Sequence, residues 1–292
     1  MQKNIGYRTL SLGLKVGLGI AMCIGSAWAQ QIPKVPAEDD LYCTAVVTDQ
    51  AVPADSYVIS GEDSHLKSTF HQGDLVYINR GGEQGVKVGD QFEVIRAARD
   101  MMPNMWFKWQ AQLNRAMGTT YADIGRLRVV NVLAKTSIAE LTLSCDMMQR
   151  GDIVRPFVAR PAPAYHTVKF DPFAAPSGKK TAMIVNTKNF GTLTAAGRIV
   201  FVNLGSGQGV QVGDYFRVFR YQGENSEMAY QVRDTAYKVY GFGSTPVAYK
   251  WDDLPRQVMG EGIVLRTGPN SSTVLLTTAR KEIFVGDYVE LE

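Results

Sequence analysis

Residues Val76 to Asp90 read VYINRGGEQGVKVGD, and 124 positions later Val200 to Asp214 read VFVNLGSGQGVQVGD, with nine of the fifteen positions identical. An internal repeat decides the architecture before any single residue does, because one folding unit has been built twice. A second stretch repeats as well. Gly125 to Val154 aligns without a gap with Gly260 to Val289, matching Ser137 with Ser272, Leu141 with Leu276 and Gly151-Asp152 with Gly286-Asp287, at an offset of 135. The changed offset puts eleven extra residues between the matched segments of the second copy. Both copies carry an insertion at the same point, so both excursions should leave the same face of their module.

The residues around the repeat are β-formers. Short runs rich in Val, Ile, Tyr and Thr, separated by turn residues, predict strands over 43–48, 57–60, 75–79, 91–96, 125–132, 139–143 and 152–155. The second copy repeats the order at 182–186, 199–203, 215–220, 261–266, 273–277 and 287–291. The expected class is all-β: two tandem small β-barrel-like modules with loop insertions. Module one spans 41–155 with its insertion at 97–124, and module two spans 181–292 with its insertion at 221–259. Between them, 156–180 carries Pro156, Pro161, Pro163, Pro172 and Pro176 without strand or helix period, and reads as a semi-extended linker. Residues 30–40 read as a disordered tail.

The amino terminus gives the compartment. Lys3, Arg8 and Lys15 precede an apolar run from Val16 to Gly25, and Ala27-Trp28-Ala29 supplies a small-x-small cleavage pattern, so 1–29 reads as a secretory signal peptide. The run is shorter than the roughly 20 residues a spanning helix needs. A lipid anchor at Cys23 is the rival reading, but Met22 stands where a small residue is expected. Removing 1–29 takes away three of the 31 Lys and Arg and none of the 28 Asp and Glu, leaving a formal net charge of zero. A mature chain without a positive field lacks the footprint of a nucleic-acid binder. It keeps Cys43 and Cys145, and an even pair in an oxidising compartment predicts one disulfide closing module one.

The glycine-rich motifs read as framework. Gly85 to Asp90 and Gly209 to Asp214, G-V-x-V-G-D, fit a reversing corner with glycines at positive φ and an Asp bonding its own turn. Gly81-Gly82 and Gly205-Ser206-Gly207 precede strands and match no phosphate-binding loop. Arg150-Gly151-Asp152 spells an adhesion tripeptide, but the second copy has Val285-Gly286-Asp287, so only the turn-forming Gly-Asp is shared. His65, His71 and His166 carry no metal-ligand spacing, and no nucleophile elbow is present. We expect no catalytic residue, no cofactor and no metal centre.

The insertions concentrate aromatics. The first holds Trp106, Phe107 and Trp109; the second holds Tyr240, Phe242, Tyr249 and Trp251 among further tyrosines. Large rigid side chains on long loops are what contact surfaces use, and these seven form the expected contact face. They could instead stack on sugar rings, or fold back over the open end of their own barrel.

The pattern V-x-I/V-N-x-G-x-x-Q-G-V-x-V-G-D-x-F-x-V, followed by a Gly-started strand and a terminal G-D-x-V, resembles the carboxy-terminal β domain of flagellar assembly protein T. Gly262 to Thr277, with Pro269-Asn270-Ser271-Ser272 at its turn, is similar to the β domains of the rod-shape protein MreC. The likeness covers about 60 residues of each module. It implies an envelope scaffold acting through protein contacts and without catalysis, and transfers no binding residue. The expected function is therefore a structural or assembly component located in the periplasm or at the outer membrane or cell surface. Its partners would be other envelope proteins; the alternative is a protein that binds peptidoglycan or another glycan through its loop aromatics.

Overall fold

The computed structural model describes residues 35–63, 65–100, 105–166, 170–221 and 254–292, together with the backbone of 237–239 and 247–249. The signal segment 1–29 lies outside these residues. The described chain opens with helix α1 (Glu38–Tyr42) and strand β1 (Ala45–Thr48). Module one continues through β2 (Val58–Gly61), β3 (Thr69–Phe70), β4 (Leu75–Ile78), β5 (Gln91–Ala98), helix α2 (Gln110–Met117), β6 (Thr119–Val132), β7 (Ser137–Ser144), β8 (Met148–Gln149) and β9 (Ile153–Pro156). Module two comprises β10 (Thr181–Thr187), β11 (Leu193–Thr194), β12 (Ile199–Val202), β13 (Tyr215–Arg220), β14 (Tyr237–Val239), β15 (Val247–Tyr249), β16 (Gln257–Thr267), β17 (Ser272–Ala279), β18 (Ile283–Phe284) and β19 (Tyr288–Leu291). Among the described residues no helix is long and apolar enough to cross a membrane.

The all-β reading holds, and the two copies share one topology. Module two closes into a six-stranded barrel in the order β10-β12-β17-β16-β13-β19, and module one follows the equivalent path β2-β4-β7-β6-β5-β9. Its two ends meet through a bridge between Tyr57 and Ile153 and through the Val58 N–H donating to the Asp152 carbonyl at 2.9 Å. Each interior is filled. Val58, Phe70, Val76, Ile78, Val94, Leu127, Val129, Leu141 and Val154 pack inside the first, and Ile184, Val200, Val202, Phe216, Val218, Val264, Val274, Leu276 and Val289 inside the second.

The Gly-Asp corners are framework, as their sequence indicates. Gly85 and Gly209 sit at φ +79° and +93°, and Gly89 and Gly213 at +92° and +95°. Asp90 Oδ2 accepts the Lys87 N–H and Asp214 Oδ2 the Gln211 N–H, both at 2.8 Å, closing the turn on itself. The later Gly-Asp pair has a second task. Asp152 accepts a bidentate pair of bonds from Arg96 at 2.6 and 2.7 Å, and Asp287 accepts the same from Arg220 at 2.6 and 2.7 Å. Buried carboxylates tied to a guanidinium fork in this way pin β9 to β5 and β19 to β13. With both oxygens held, Asp152 is unavailable to an adhesion receptor.

Three expectations are corrected in detail. The tail 30–40 is ordered at its end, because α1 begins at Glu38, Leu41 is buried against module two, and Arg126 pairs with Glu38. Strand β6 begins at Thr119, inside the expected insertion, because 119–122 pair with β1 on one side and with the extended end of β5 on the other. Likewise β16 begins at Gln257, pairing with Arg220. The expected disulfide is present: Cys43 and Cys145 are bonded across 102 residues with their Cα atoms 5.1 Å apart.

The modules share a core. Leu41, Ala45, Val47 and Met117 from module one pack on the outer face of barrel two, against Val185, Ile199, Phe201, Tyr215, Ile263, Leu265 and Leu275. Strand β1 pairs with β6 along one edge only, and its other edge meets hydroxyl groups of module two. Ser271 Oγ donates to the Val47 carbonyl at 2.5 Å and Thr273 Oγ1 to the Ala45 carbonyl at 2.7 Å. An edge strand is thereby covered and two of its buried carbonyls are satisfied.

Candidate functional site

The middle of insertion one, as described from Met105 to Met117, is placed against module two. There Phe107, 1% exposed, belongs to the core of the second barrel together with Ile184, Val218, Met259 and Leu276. Trp106 and Leu113 pack on the same core. Helix α2 is held there by polar contacts: Gln110 Nε2 donates to the Val185 carbonyl at 2.9 Å, and Asn186 Nδ2 donates to Asn114 Oδ1 at 2.6 Å. Gln110 Oε1 accepts the Trp106 N–H at 2.8 Å, fixing the chain entering the helix. Phe107 is therefore removed from the expected contact face, since its ring is consumed by an intramolecular plug.

Trp109 is placed differently. It precedes α2 with φ +75°, a left-handed backbone that bulky residues rarely adopt, and it is 53% exposed. The Lys108 ammonium stands 4.8 Å from the centre of its ring. Met105, 69% exposed, lies on the same short segment. Met105, Lys108 and Trp109 are thus exposed together on one short segment, with Trp106 half-buried beside them. Tyr240, Phe242 and Trp251 lie outside the described residues, and for Tyr249 only the backbone of β15, paired antiparallel with β14, is described.

The linker expectation changes in kind. Residues 157–166 are extended, as the prolines require, but they form a strap threaded between the modules. Arg160 is its anchor. Its guanidinium donates to both Asp123 oxygens at 3.0 and 3.1 Å, to Glu93 Oε2 at 2.6 Å and to the Leu41 carbonyl at 2.6 Å. Arg266 of module two reaches the same Asp123 at 3.1 Å, and Thr44 donates to it from its backbone and its hydroxyl. Burial works against the Asp123 charge, yet Arg266 and Arg160 outweigh it and hold the carboxyl below its usual range. Burial lowers Arg266 in turn, from so high a starting value that it stays charged. Strap, module one and module two are joined through one carboxylate.

The surface carries an open cleft of 1120 Å³ beside the disulfide, lined by Asp39, Cys43, Lys188, Arg198, Arg280 and Glu282. Its lining mixes acidic and basic side chains. His65 and His71 are exposed on either side of β3.

Aligning the copies exposes one feature that reading each motif alone missed. Across β6-β5-β9, Arg126, Glu93 and Arg155 are registered neighbours; at the equivalent places across β16-β13-β19 stand Glu261, Arg217 and Glu290. Every charge is inverted. Glu93 pairs with Arg155 at 2.6 Å, and Arg217 pairs with Glu290 at 3.2 Å. No family model and no curated protein matches this chain.

Proposed function

We propose that this is a non-catalytic, exported envelope protein that works as a structural or assembly component through contacts with other proteins. One observation carries the reading: insertion one is divided into a buried half that locks it to barrel two and an exposed half that presents Met105 and Trp109 from a fixed base. Backbone in a sparsely populated region, held at an exposed aromatic by packed neighbours, is a reason to look for function there. A rigidly presented indole loses little conformational entropy on binding, which suits an interface anchor. The filled barrel interiors support the same reading, because binding is left to the outer surface. Export rests on the amino-terminal pattern, and the Cys43–Cys145 bond agrees with an oxidising compartment.

The exposed Trp109 ring also supports a second reading, stacking on a sugar ring of peptidoglycan. A photo-crosslinking residue placed at position 109 in intact cells separates the two. Crosslinks to one or a few envelope proteins support the assembly role. Crosslinks to the sacculus alone support the glycan reading, and an absence of any adduct at 109 while other surface positions react sinks both.

A further inference from the structure

The inverted charge triad leaves one group unmatched. In module one the outer member, Arg126, is met by Glu38 and by the faces of Tyr42 and Phe157, each ring centre 4.8 Å from its guanidinium carbon. Its counterpart in module two, Glu261, is only 7% exposed, and among the described residues no hydrogen bond or ion pair reaches its carboxylate. The other acids of that cluster are provided for: Arg256 bonds both oxygens of Glu290 at 2.6 and 2.9 Å, and Arg217 meets Glu292 Oε1 at 2.7 Å. Three carboxylates therefore face two guanidiniums, and the one left over is the most costly kind to leave alone, a buried and unpaired charge.

The strap brings a nitrogen ligand to the same place. His166 donates its backbone N–H to the Tyr215 hydroxyl at 2.9 Å and stacks its ring on Tyr215 at a centre separation of 3.3 Å. This aims Nε2 at Glu292 Oε2, 3.9 Å away, the oxygen that Arg217 does not occupy. Ligand atoms of His166, Glu261 and Glu292 all lie within 4.8 Å of one another.

We propose that His166, Glu261 and Glu292 form a binding site for a divalent transition cation of the zinc class, which clasps the strap onto barrel two. One imidazole and two carboxylates are an N,O donor set suited to zinc, and three protein ligands leave a fourth position for water on the partly exposed His166 side. Bonds of about 2 Å would draw the three donors to roughly 3.3 Å apart in a tetrahedral site. The strap, which has no regular hydrogen bonding at His166, can supply that movement. The cation supplies the positive charge that Glu261 lacks, as Glu38 and two rings answer Arg126 in the other copy. Burial first, and the neighbouring Glu292 after it, raise the Glu261 carboxyl above its ordinary range.

Calorimetric titration of the metal-free mature chain with zinc chloride tests this. One zinc per chain is expected, with affinity weakened at least about tenfold in Glu261→Gln and in His166→Ala, since losing even an outer-shell partner of a metal ligand costs that much. His71→Ala serves as the control and should bind like the parent. Thermal melting of each variant in chelator verifies folding, and His166→Ala, on the strap, remains informative if Glu261→Gln destabilises the barrel. Absence of binding by the parent, affinity in both site variants equal to the parent's, or loss of binding in His71→Ala would each overturn the assignment.

Discussion

Replacing Phe107 with Ala alters a residue encoded in module one, yet its cost should fall on module two. The ring is fully buried and belongs to the core of the second barrel, whose other members come from all six of its strands. Truncating a fully buried phenylalanine costs about 3–5 kcal/mol, the transfer of the ring plus the cavity left when neighbours relax only in part. Collapse should be poor here, because the wall is a closed set of hydrogen-bonded strands. The loss also frees α2, whose remaining anchors to β10 are the Gln110 and Asn114 contacts. Urea unfolding followed by circular dichroism gives the magnitude, and native-state hydrogen exchange gives the place: amides of β10, β16 and β17 should lose protection first. Trp109→Ala, exposed on the same insertion, should change stability by no more than about 0.5 kcal/mol. A Phe107→Ala cost under about 1 kcal/mol, or lost protection confined to β2–β9, would refute the plug.

Further outcomes follow from the interface and the corners. Asp123→Asn leaves two buried guanidiniums short of their shared partner and should cost about 3–5 kcal/mol in urea unfolding. Because the folded Asp123 carboxyl is held below its usual range, its contribution is present above the unfolded value near pH ~3.9 and fades as pH falls through the folded value. The Asn variant should therefore show a flatter loss of stability on acidification than the parent, and parallel acid limbs would contradict the assignment. Replacing both Cys43 and Cys145 with Ser opens a loop of 102 residues and should lower stability by roughly 4–5 kcal/mol in the chain-entropy account, read as a drop in urea midpoint matching that of the reduced parent. Gly205→Ala places a methyl 2.3 Å from the Gly268 carbonyl oxygen and 2.4 Å from the Ser271 nitrogen, displacing the turn that docks on β1; about 1–3 kcal/mol is expected by thermal melting. Gly85→Ala meets no atom within 4 Å but must adopt φ +79°, so it should cost only about 1–2 kcal/mol.

Most strands were legible because their signals are local. The alternation and turn residues around 75–79 and 215–220 needed no partner to be read, and β13 runs over Tyr215–Arg220. What escaped depends on distant packing. The segment MWFKWQAQLNRAM carries aromatics that look like an exposed surface until the location of the second barrel is known, and α2 is stabilised by that barrel. Arg160 sits in a proline-rich stretch with no period, so nothing local marks it as the anchor of the strap. One clue was present in the sequence. Ile199-Val200-Phe201-Val202 is apolar throughout where Leu75-Val76-Tyr77-Ile78 interrupts with a tyrosine, and an unbroken run marks a strand covered on both faces. Module one supplies that cover.

The duplicated barrels form one body, welded by the shared core, the strap and the segment of insertion one packed on barrel two. Differential scanning calorimetry of the oxidised mature chain tests it most directly. One transition is expected, with calorimetric and van't Hoff enthalpies equal, as for a single cooperative unit. Two separate transitions, one shifting with Phe107→Ala and the other indifferent to it, would show that the modules are neighbours on a string.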